Sequence, residues 1–202
     1  MIRDPAQACP GEMALQSSED RIQIQDVIHR WCRAIDRLDF DGISACFHED
    51  AHDDHVFYKG DIPGLIDCLK ARHKAISFSM HAVSNVLIEF GSSGEAVVES
   101  YVQVVQRRPL GSGRASDVRA DGIATACDSN VSEVFCRYVD RFEKRNGSWK
   151  IAERILLIDS AREYDDREPV HRLPPEGSVN RGRRDPSDTV YRERARFGID
   201  RR

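Results

Sequence analysis

The sequence predicts an α+β domain in which helices come first and a sheet follows. Three segments between residues 19 and 76 read as helices, the first of them strongly amphipathic. From Phe78 onward, four longer segments are rich in β-branched residues or alternate in polarity. The junctions FGSSGE and KRNGSW carry the residues of hairpin turns. Together these observations predict a curved antiparallel sheet wrapped around N-terminal helices.

The first helix is expected to begin after residues 1–18, which show no periodic pattern and are predicted to form a mobile arm. Ser18 is a suitable N-cap, and acidic residues follow it in the first turn. An apolar face then recurs at helical spacing, at Ile24, Val27, Ile28, Trp31, Ile35 and Leu38. Asp36 lies near the edge of this face, which is an unusual place for a carboxylate.

The next elements are short. DFDGISACF predicts a second helix, and DIPGLIDCLKARHKAI predicts a third, with a proline tolerated near its start. Between them, DAHDDHVFYKG reads as a strand that ends in a glycine turn. Its two-residue period places Ala51, Asp53 and His55 on one face. The same period places His52 and Asp54 on the other.

The domain itself is predicted to span residues 19–161. Residues 109–130 form a long polar insertion between two strands, which is expected to cover a cavity or reach a neighbouring subunit. Residues 162–202 are predicted to form an extended C-terminal arm that ends in a short helix near Pro186.

Composition narrows the possible functions. The chain has 202 residues and a formal net charge of −4, so no nucleic-acid partner is expected. No apolar run is long enough to cross a bilayer, and the N-terminus lacks the pattern of a signal peptide. The six cysteines include no C-x-x-C pair, which favours reduced thiols in a cytoplasmic protein.

The stretch HEDAHDDH concentrates histidines and carboxylates and raises the possibility of a metal site. Such a site needs about three converging ligands, for which His48, His52 and Asp54 are the candidates. The strand period sends neighbouring side chains to opposite faces, and no helical pair of ligands supports the site. We therefore expect no metal, and we expect the outward members of this stretch to be solvated.

The alternative is a histidine base oriented by a carboxylate. His81 lies at the head of an apolar strand, and Asn85 is predicted to share its face. A lone histidine in such a strand is more often a core or edge residue. If Asp36 accepts a hydrogen bond from one ring nitrogen, however, it fixes the tautomer and makes the other nitrogen a better base.

Arg154 lies in a strand made otherwise of isoleucine and leucine. Alternation predicts that it shares a face with Lys150 and Ala152, opposite Trp149 and Ile151. Two interpretations are open: an exposed charge at a sheet edge, or a cation that faces a cavity and stabilises developing negative charge.

Over residues 20–160 the chain resembles the SnoaL-like branch of the nuclear transport factor 2 superfamily. The resemblance rests on IQDVIHRWCRAIDRLDFDGISACFHEDA, YKG, HAVSNVLIEF and RYVDRFEKRNGSWKIAER, in that order. It implies a cone-shaped α+β barrel with an apolar cavity between the sheet and the helices. Enzymes of that superfamily include scytalone dehydratase, bile acid 7α-dehydratase, hexachlorocyclohexane dehydrochlorinase, ketosteroid isomerase and formaldehyde-releasing lyases.

The resemblance also implies roles for individual residues. Asp36 matches the helix acid, His81 the general base, and Arg154 the arginine that faces the leaving group. At the position of Trp31, the bile acid dehydratase has tyrosine and the dehydrochlorinase has lysine. Tryptophan cannot donate a proton as those residues do, so Trp31 is expected to form an aromatic wall of the cavity. His55 or Tyr58 would then supply the acid. The remaining lining is predicted to include Cys32, Asp53, Val102 and Val104.

The function expected from these residues is that of a cofactor-free lyase. It would eliminate water or formaldehyde from an aromatic or polycyclic small molecule, such as a lignin-derived diaryl compound. An isomerase or cyclase that uses the same pair of Asp36 and His81, called the dyad below, is an alternative. A non-catalytic subunit, such as the small subunit of a ring-hydroxylating dioxygenase, is another. The family also implies a homo-oligomer, with a trimer favoured over a dimer.

Overall fold

The computed structural model describes residues 10–91, 94–108, 130–164 and 180–199. Helices and strands follow the predicted order. The helices are α1 (Pro10–Arg37), α2 (Phe40–Ala45), α3 (Ile62–His73) and α4 (Thr189–Arg196). The strands are β1 (Phe47–Asp54), β2 (Lys59–Asp61), β3 (Phe78–Phe90), β4 (Glu95–Arg107), β5 (Val131–Arg145) and β6 (Ser148–Tyr164).

The six strands form one curved sheet in the order β2-β1-β6-β5-β4-β3, which confirms the α+β prediction. The sheet is open, with β2 and β3 at its edges. All neighbouring strands are antiparallel except β1 and β6, which run parallel, so the expectation of a fully antiparallel sheet needs this correction. A parallel pair requires a long crossover connection, and here the chain between β1 and β6 supplies it.

Helix α1 begins at Pro10, eight residues before the predicted N-cap at Ser18, so that N-cap assignment is wrong. It ends at Arg37, and Leu38 adopts a left-handed conformation with φ of 54°. A residue in this conformation commonly terminates a helix. Asp36 therefore lies in the last turn of α1. The helix packs along the concave face of the sheet, where the predicted apolar face from Ile24 to Ile35 is buried.

Two bulges change which side chains face inward. In β3 the register with β4 shifts between Val83 and Val86, and Asn85 is exposed instead of sharing the face of His81. In β6 the register with β5 shifts next to Ala152, which interrupts the simple alternation. Arg154 consequently points into the core, on the same side as Ile151. The predicted grouping of Arg154 with Lys150 was wrong because a bulge adds one residue to a strand.

The turn between β5 and β6 agrees with its sequence signal, whereas residues 92–93 of the FGSSGE turn lie outside the described residues. Asn146 and Gly147, which join β5 to β6, both have positive φ (52° and 81°). Two consecutive left-handed residues match the hairpin turn that Asn-Gly favours. Strand β1 alternates as expected around its end, since Ala51 and Asp53 are buried and His52 is exposed. His55, one residue beyond the strand, is also buried.

The C-terminal region extends the predicted domain. Strand β6 continues past residue 161 to Tyr164, and α4 begins at Thr189 with Asp188 as its N-cap, close to the helix predicted near Pro186. Of the mobile arm predicted for residues 1–18, residues 10–18 belong to α1 instead, and residues 1–9 lie outside the described residues. Residues 109–129 of the insertion and residues 165–179 of the C-terminal arm also lie outside them. Among the helices described, none is long and apolar enough to cross a membrane.

Candidate active site

A pocket of about 290 Å³ lies between the last turns of α1 and the edge strand β3. Helix α1 contributes most of its lining and β3 contributes the rest: His29, Cys32, Arg33, Asp36, Arg37, His81 and Val83. His29 is exposed, so the pocket reaches the surface. The volume is at the lower end of the range of about 300–1,000 Å³ for small-molecule sites.

Asp36 and His81 meet in this pocket. The Nδ1 atom of His81 lies 2.7 Å from Oδ1 of Asp36. The backbone N–H of His81 donates to Oδ2 at 2.9 Å, and the hydroxyl of Ser79 donates to Oδ1 at 3.0 Å. Three donors from one strand thus fix the Asp36 carboxylate, and both partner side chains are nearly buried.

This geometry selects one tautomer of His81. A carboxylate that accepts from Nδ1 requires the proton on that nitrogen, so Nε2 keeps its lone pair. Among the residues that the structure describes, none forms a hydrogen bond with Nε2. The arrangement is suited to accepting a proton from a bound molecule. Ser79 was not identified from the sequence, although it lies two residues before His81 and therefore shares its strand face.

Cys32 lines the same pocket but is not a nucleophile. Burial raises the pKa of its thiol to about 12, an effect that Arg154 partly offsets and Asp36 reinforces. A thiol with such a pKa stays protonated near neutral pH, and the thiolate is the reactive form. Cys32 therefore contributes a small, neutral surface to the pocket wall.

Arg154 lies deeper, under α1, and is completely buried. Its Nε and Nη2 atoms donate to the two carboxylate oxygens of Asp140, at 2.7 and 2.6 Å. Burial disfavours the charged guanidinium, but the charge and hydrogen bonds of Asp140 outweigh this effect and raise the pKa of Arg154. Arg154 is therefore not a free cation that faces a cavity. It forms an ion pair with Asp140. Asp140 was not predicted from the sequence as a partner of Arg154. Its position between Tyr138 and Phe142, on the face of β5 that points inward, could have indicated a buried acid that needs a partner.

Trp31 is enclosed by this ion pair and its aromatic neighbours. The Arg154 guanidinium lies 4.7 Å from the Trp31 ring centroid and 4.0 Å from that of Tyr138. Phe47 meets the Trp31 ring edge-on at 5.4 Å. Trp31 has no exposed surface. The structure places Trp31 in the core and not at the wall of the described pocket, in contrast to the expectation from the resemblance.

A second carboxylate–histidine pair lies next to Arg154. Asp53 faces Arg154 across the β1–β6 ladder, and its Oδ1 lies 2.9 Å from Nδ1 of His55. Both side chains are buried, and the His55 ring lies 6.1 Å from that of Trp31. The following residue, Val56, has a φ of 60°, which is strained for a β-branched side chain.

The structure brings together only part of the predicted site. Of the ten residues predicted, Cys32, Asp36 and His81 line the pocket. Val104 and Val102 are their buried neighbours, since they pair with His81 and Val83 on the β3–β4 ladder. The remaining five, Trp31, Asp53, His55, Tyr58 and Arg154, do not line it.

Tyr58 and Arg154, two of these five, lie away from the pocket for separate reasons. Tyr58 turns its hydroxyl away to donate to the backbone oxygen of Asp61 at 2.9 Å, so it is not placed to protonate a leaving group in this pocket. Arg154 lies on β6, which β5 and β4 separate from β3. Strands spaced about 4.8 Å apart put roughly 14 Å of sheet between the two backbones. Among the described residues, no group of three or more histidine, cysteine or acidic side chains is placed to hold a metal ion.

Solved structures with the same fold include several enzymes. The hexachlorocyclohexane dehydrochlorinase LinA-type3 of Novosphingobium barchaimii is 16% identical, with a TM-score of 0.63, over 80% of this chain and 99% of that one. A candidate scytalone dehydratase of Novosphingobium aromaticivorans is 20% identical, with a TM-score of 0.59, over 78% and 97%. A candidate aromatic ring hydroxylase of the same species is 19% identical, with a TM-score of 0.56, over 77% and 96%.

At this level of identity, the structural neighbours establish the fold and not the reaction. A search of curated proteins found no match to the chain. The family model of the SnoaL-like domain matches residues 16–155, which span α1 through most of the sheet and include both members of the Asp36–His81 pair. The chain therefore belongs to the SnoaL-like domain family.

Proposed function

We propose that the protein is a cofactor-independent lyase that uses His81 as its general base. The observation that carries this proposal is the 2.7 Å contact between His81 Nδ1 and Asp36 Oδ1 at the wall of a pocket that opens to the surface. The contact orients His81 and leaves Nε2 as the proton acceptor. Relatives of the same fold include a dehydrochlorinase and a candidate scytalone dehydratase, which supports an elimination as the reaction class.

In a dehydration, His81 Nε2 takes a proton from the carbon next to the one that bears a hydroxyl group. The electron pair of that C–H bond becomes the new C=C bond as the C–O bond breaks. The departing hydroxide takes up a proton and leaves as water. Asp36 stays ionised and stabilises the imidazolium formed on the way. Positioned proton transfer of this kind contributes about 10²–10⁴-fold to the rate.

The leaving group needs a proton donor, and three side chains considered from the sequence do not supply it. Trp31 has no acidic proton at neutral pH, and the Tyr58 hydroxyl is directed at Asp61. The His81 imidazolium, formed when the base takes its proton, is already at the reacting atoms and can return that proton to the departing oxygen. His55, the other donor expected from the sequence, is held by Asp53 and does not line this pocket.

A formaldehyde-releasing elimination uses the same base. His81 would take the O–H proton of a hydroxymethyl arm, and the C–C bond to that arm would break to release formaldehyde. The freed electron pair would form the conjugated C=C bond as a hydroxide leaves from the adjacent carbon and is protonated. A pocket of about 290 Å³ accommodates one aromatic ring, so a diaryl compound would extend through the mouth near His29.

We also propose that the protein is a homo-oligomer, with a trimer favoured. Large apolar side chains are exposed on the convex side of the sheet, which we call the outer sheet face: Met80, Leu87, Val97, Tyr101, Phe135, Ile155 and Leu157. Several large apolar side chains exposed on one face are characteristic of a contact site for another protein surface. A second copy of the chain is the simplest partner.

One rival function is supported by a specific observation. The candidate aromatic ring hydroxylase among the structural relatives and the apolar outer sheet face both fit a non-catalytic subunit of a larger oxygenase. In that case Asp36 and His81 would be a structural pair, and a large iron–sulfur subunit would copurify. Isomerisation or cyclisation by Asp36 and His81 is a separate alternative. It differs from elimination in the atom to which the proton taken by His81 returns.

The test is a screen of hydroxylated polycyclic compounds and aromatic dimers, some with hydroxymethyl arms, followed by the appearance of a conjugated absorbance and by formaldehyde assay. We expect at least one compound to be converted by the wild type and not by His81→Ala. Arg192→Ala, which changes an exposed residue of α4, is the matched control and should behave as the wild type. Conversion at the wild-type rate by folded His81→Ala would disprove the assignment of the base.

A further inference from the structure

The C-terminal segment described here, residues 180–199, is anchored on the end of α1 that carries Asp36. Asp188 is buried, and its Oδ2 accepts the backbone N–H of Arg183 at 2.7 Å. The same oxygen lies 3.3 Å from Nε of Arg37, the last residue of α1. Tyr191 of α4 is also buried. These contacts hold the segment beside the candidate site.

Arg184 makes the most specific contacts of this segment. Its Nε donates to the backbone oxygen of Asp36 at 3.0 Å, and its Nη1 donates to the backbone oxygen of Ile76 at 2.6 Å. Its Nη2 lies 2.7 Å from Nδ1 of His73. A guanidinium can only donate, so His73 Nδ1 is the acceptor of this third bond. Each nitrogen of the half-buried guanidinium is therefore used.

The three acceptors connect the elements that carry the dyad. Asp36 lies in the last turn of α1, whose final carbonyls have no partner within the helix and favour a nearby positive charge. Ile76 lies two residues before β3, the strand that supplies Ser79 and His81. Arg184 thus binds the backbone on both sides of the Asp36–His81 hydrogen bond.

His73 completes the arrangement as a neutral acceptor at the end of α3. Burial, together with the adjacent Arg184 charge, lowers the pKa of His73 to about 3. The ring therefore stays unprotonated at physiological pH and keeps the lone pair on Nδ1 that Arg184 requires.

We infer that Arg184 is a positioning residue for the dyad, and that the C-terminal segment is an integral part of the active site. Arg184 holds the last turn of α1 against the start of β3, at the separation that the Asp36–His81 bond needs. The expected effect of Arg184 on turnover rests on the proposed function. The expected effect of Arg184 on the geometry of the Asp36–His81 pair does not depend on that function.

The test compares Arg184→Ala and Arg184→Lys with Arg192→Ala, whose guanidinium bonds to Thr189 of its own helix. The first readout is steady-state kinetics. Because each bond from a charged donor contributes substantially, we expect kcat of Arg184→Ala to fall about tenfold while KM changes little. Arg184→Lys retains the charge and at least one bond, so it should recover part of the loss.

The second readout is NMR of the His81 ring in protein labelled with ¹⁵N-histidine, well below the unfolding midpoint. In the wild type the Nδ1–H proton is held by Asp36 and should exchange slowly with water. We expect exchange to be about tenfold faster in Arg184→Ala and unchanged in Arg192→Ala. Arg184→Lys should lie between the two, and it provides a folded variant if Arg184→Ala is too unstable.

Two results would overturn the inference. One is exchange of the His81 proton at the wild-type rate in a folded Arg184 variant. The other is a loss of activity in Arg184→Ala that matches its unfolded fraction and nothing more. If Asp36→Asn keeps full turnover, the proposed function fails instead, and the NMR measurement still decides whether Arg184 positions the pair.

Discussion

Asp36 binds His81 twice, through the backbone N–H at 2.9 Å and through ring Nδ1 at 2.7 Å. The two bonds use different carboxylate oxygens, so the acid fixes the position of the strand as well as the tautomer of the ring. A side chain at the end of a helix thereby aligns a histidine on the edge strand of a sheet.

The first prediction concerns this double contact. Asp36→Asn keeps the size of the side chain but replaces a charged acceptor by a neutral amide, and we expect kcat to fall by about 10²–10⁴-fold. Ser79→Ala removes a single neutral donor to the same carboxylate and should reduce kcat by about 2- to 10-fold. Steady-state rates, with circular dichroism to verify folding, measure both. Equal effects of the two changes would contradict the central role of Asp36.

The second prediction concerns the reactivity of Cys32. Because burial raises its pKa to about 12, Cys32 should resist iodoacetamide at pH 8 in the folded protein even though it lines the pocket. Cys68, which is half-buried, is the internal reference and should be labelled sooner. Peptide mass spectrometry after timed labelling measures both rates. Rapid labelling of Cys32 would show that the thiol is more accessible or more acidic than the structure indicates.

The third prediction concerns acid stability. His73 has a folded-state pKa of about 3 against an ordinary value of 6.5, so between these pH values the unfolded chain binds a proton that the folded chain does not. The free energy of unfolding should therefore decrease as the pH falls through this window, by up to about 1.4 kcal/mol per pH unit from this residue.

The variant His73→Asn isolates that contribution. Its side-chain oxygen can accept from Arg184 without titrating, so its unfolding free energy should depend less on pH below about 6.5. Urea titrations at several pH values give the comparison. Identical pH dependence in the two proteins would mean that His73 is not held neutral in the folded state.

The fourth prediction concerns the buried ion pair. Asp140→Asn leaves the enclosed Arg154 charge without its partner and should destabilise the fold by about 3–5 kcal/mol. Replacing both residues together, by Asp140→Leu and Arg154→Met, should recover much of that loss. The exposed pair of Arg137 and Asp159 is the control, since solvent screens such a pair and Asp159→Asn should leave the stability nearly unchanged. Chemical denaturation measures the stability of all three variants. A small effect of Asp140→Asn would mean that the ion pair is in contact with solvent.

The fifth prediction concerns assembly. Phe135→Glu puts a charge in the middle of the outer sheet face and should reduce an oligomer to a monomer of 22.9 kDa. An equivalent change on the exposed part of α4, Arg192→Glu, should leave the mass unchanged. Light scattering coupled to size-exclusion chromatography gives the masses. A monomeric wild type would contradict the proposed oligomer.

Local patterns in the sequence predicted most of the secondary structure. The helical spacing of Ile24 to Ile35, the alternation of Ala51, Asp53 and His55, and the Asn146–Gly147 turn each reflect a property of a few consecutive residues. The start of α1 was misplaced, since the helix continues beyond a suitable N-cap to Pro10. A capping residue permits a helix end but does not require one.

The sequence by itself determined the fold class and the candidate pair Asp36 and His81, since both depend on periodicity and on the resemblance to the SnoaL-like family. Only the tertiary structure decided which charges neutralise one another. The bulge beside Ala152 turned Arg154 inward to Asp140, and the chain's return at residue 184 brought a guanidinium to the end of α1. Bulges and contacts between distant segments depend on strand register and packing across the whole domain, which local spacing does not encode.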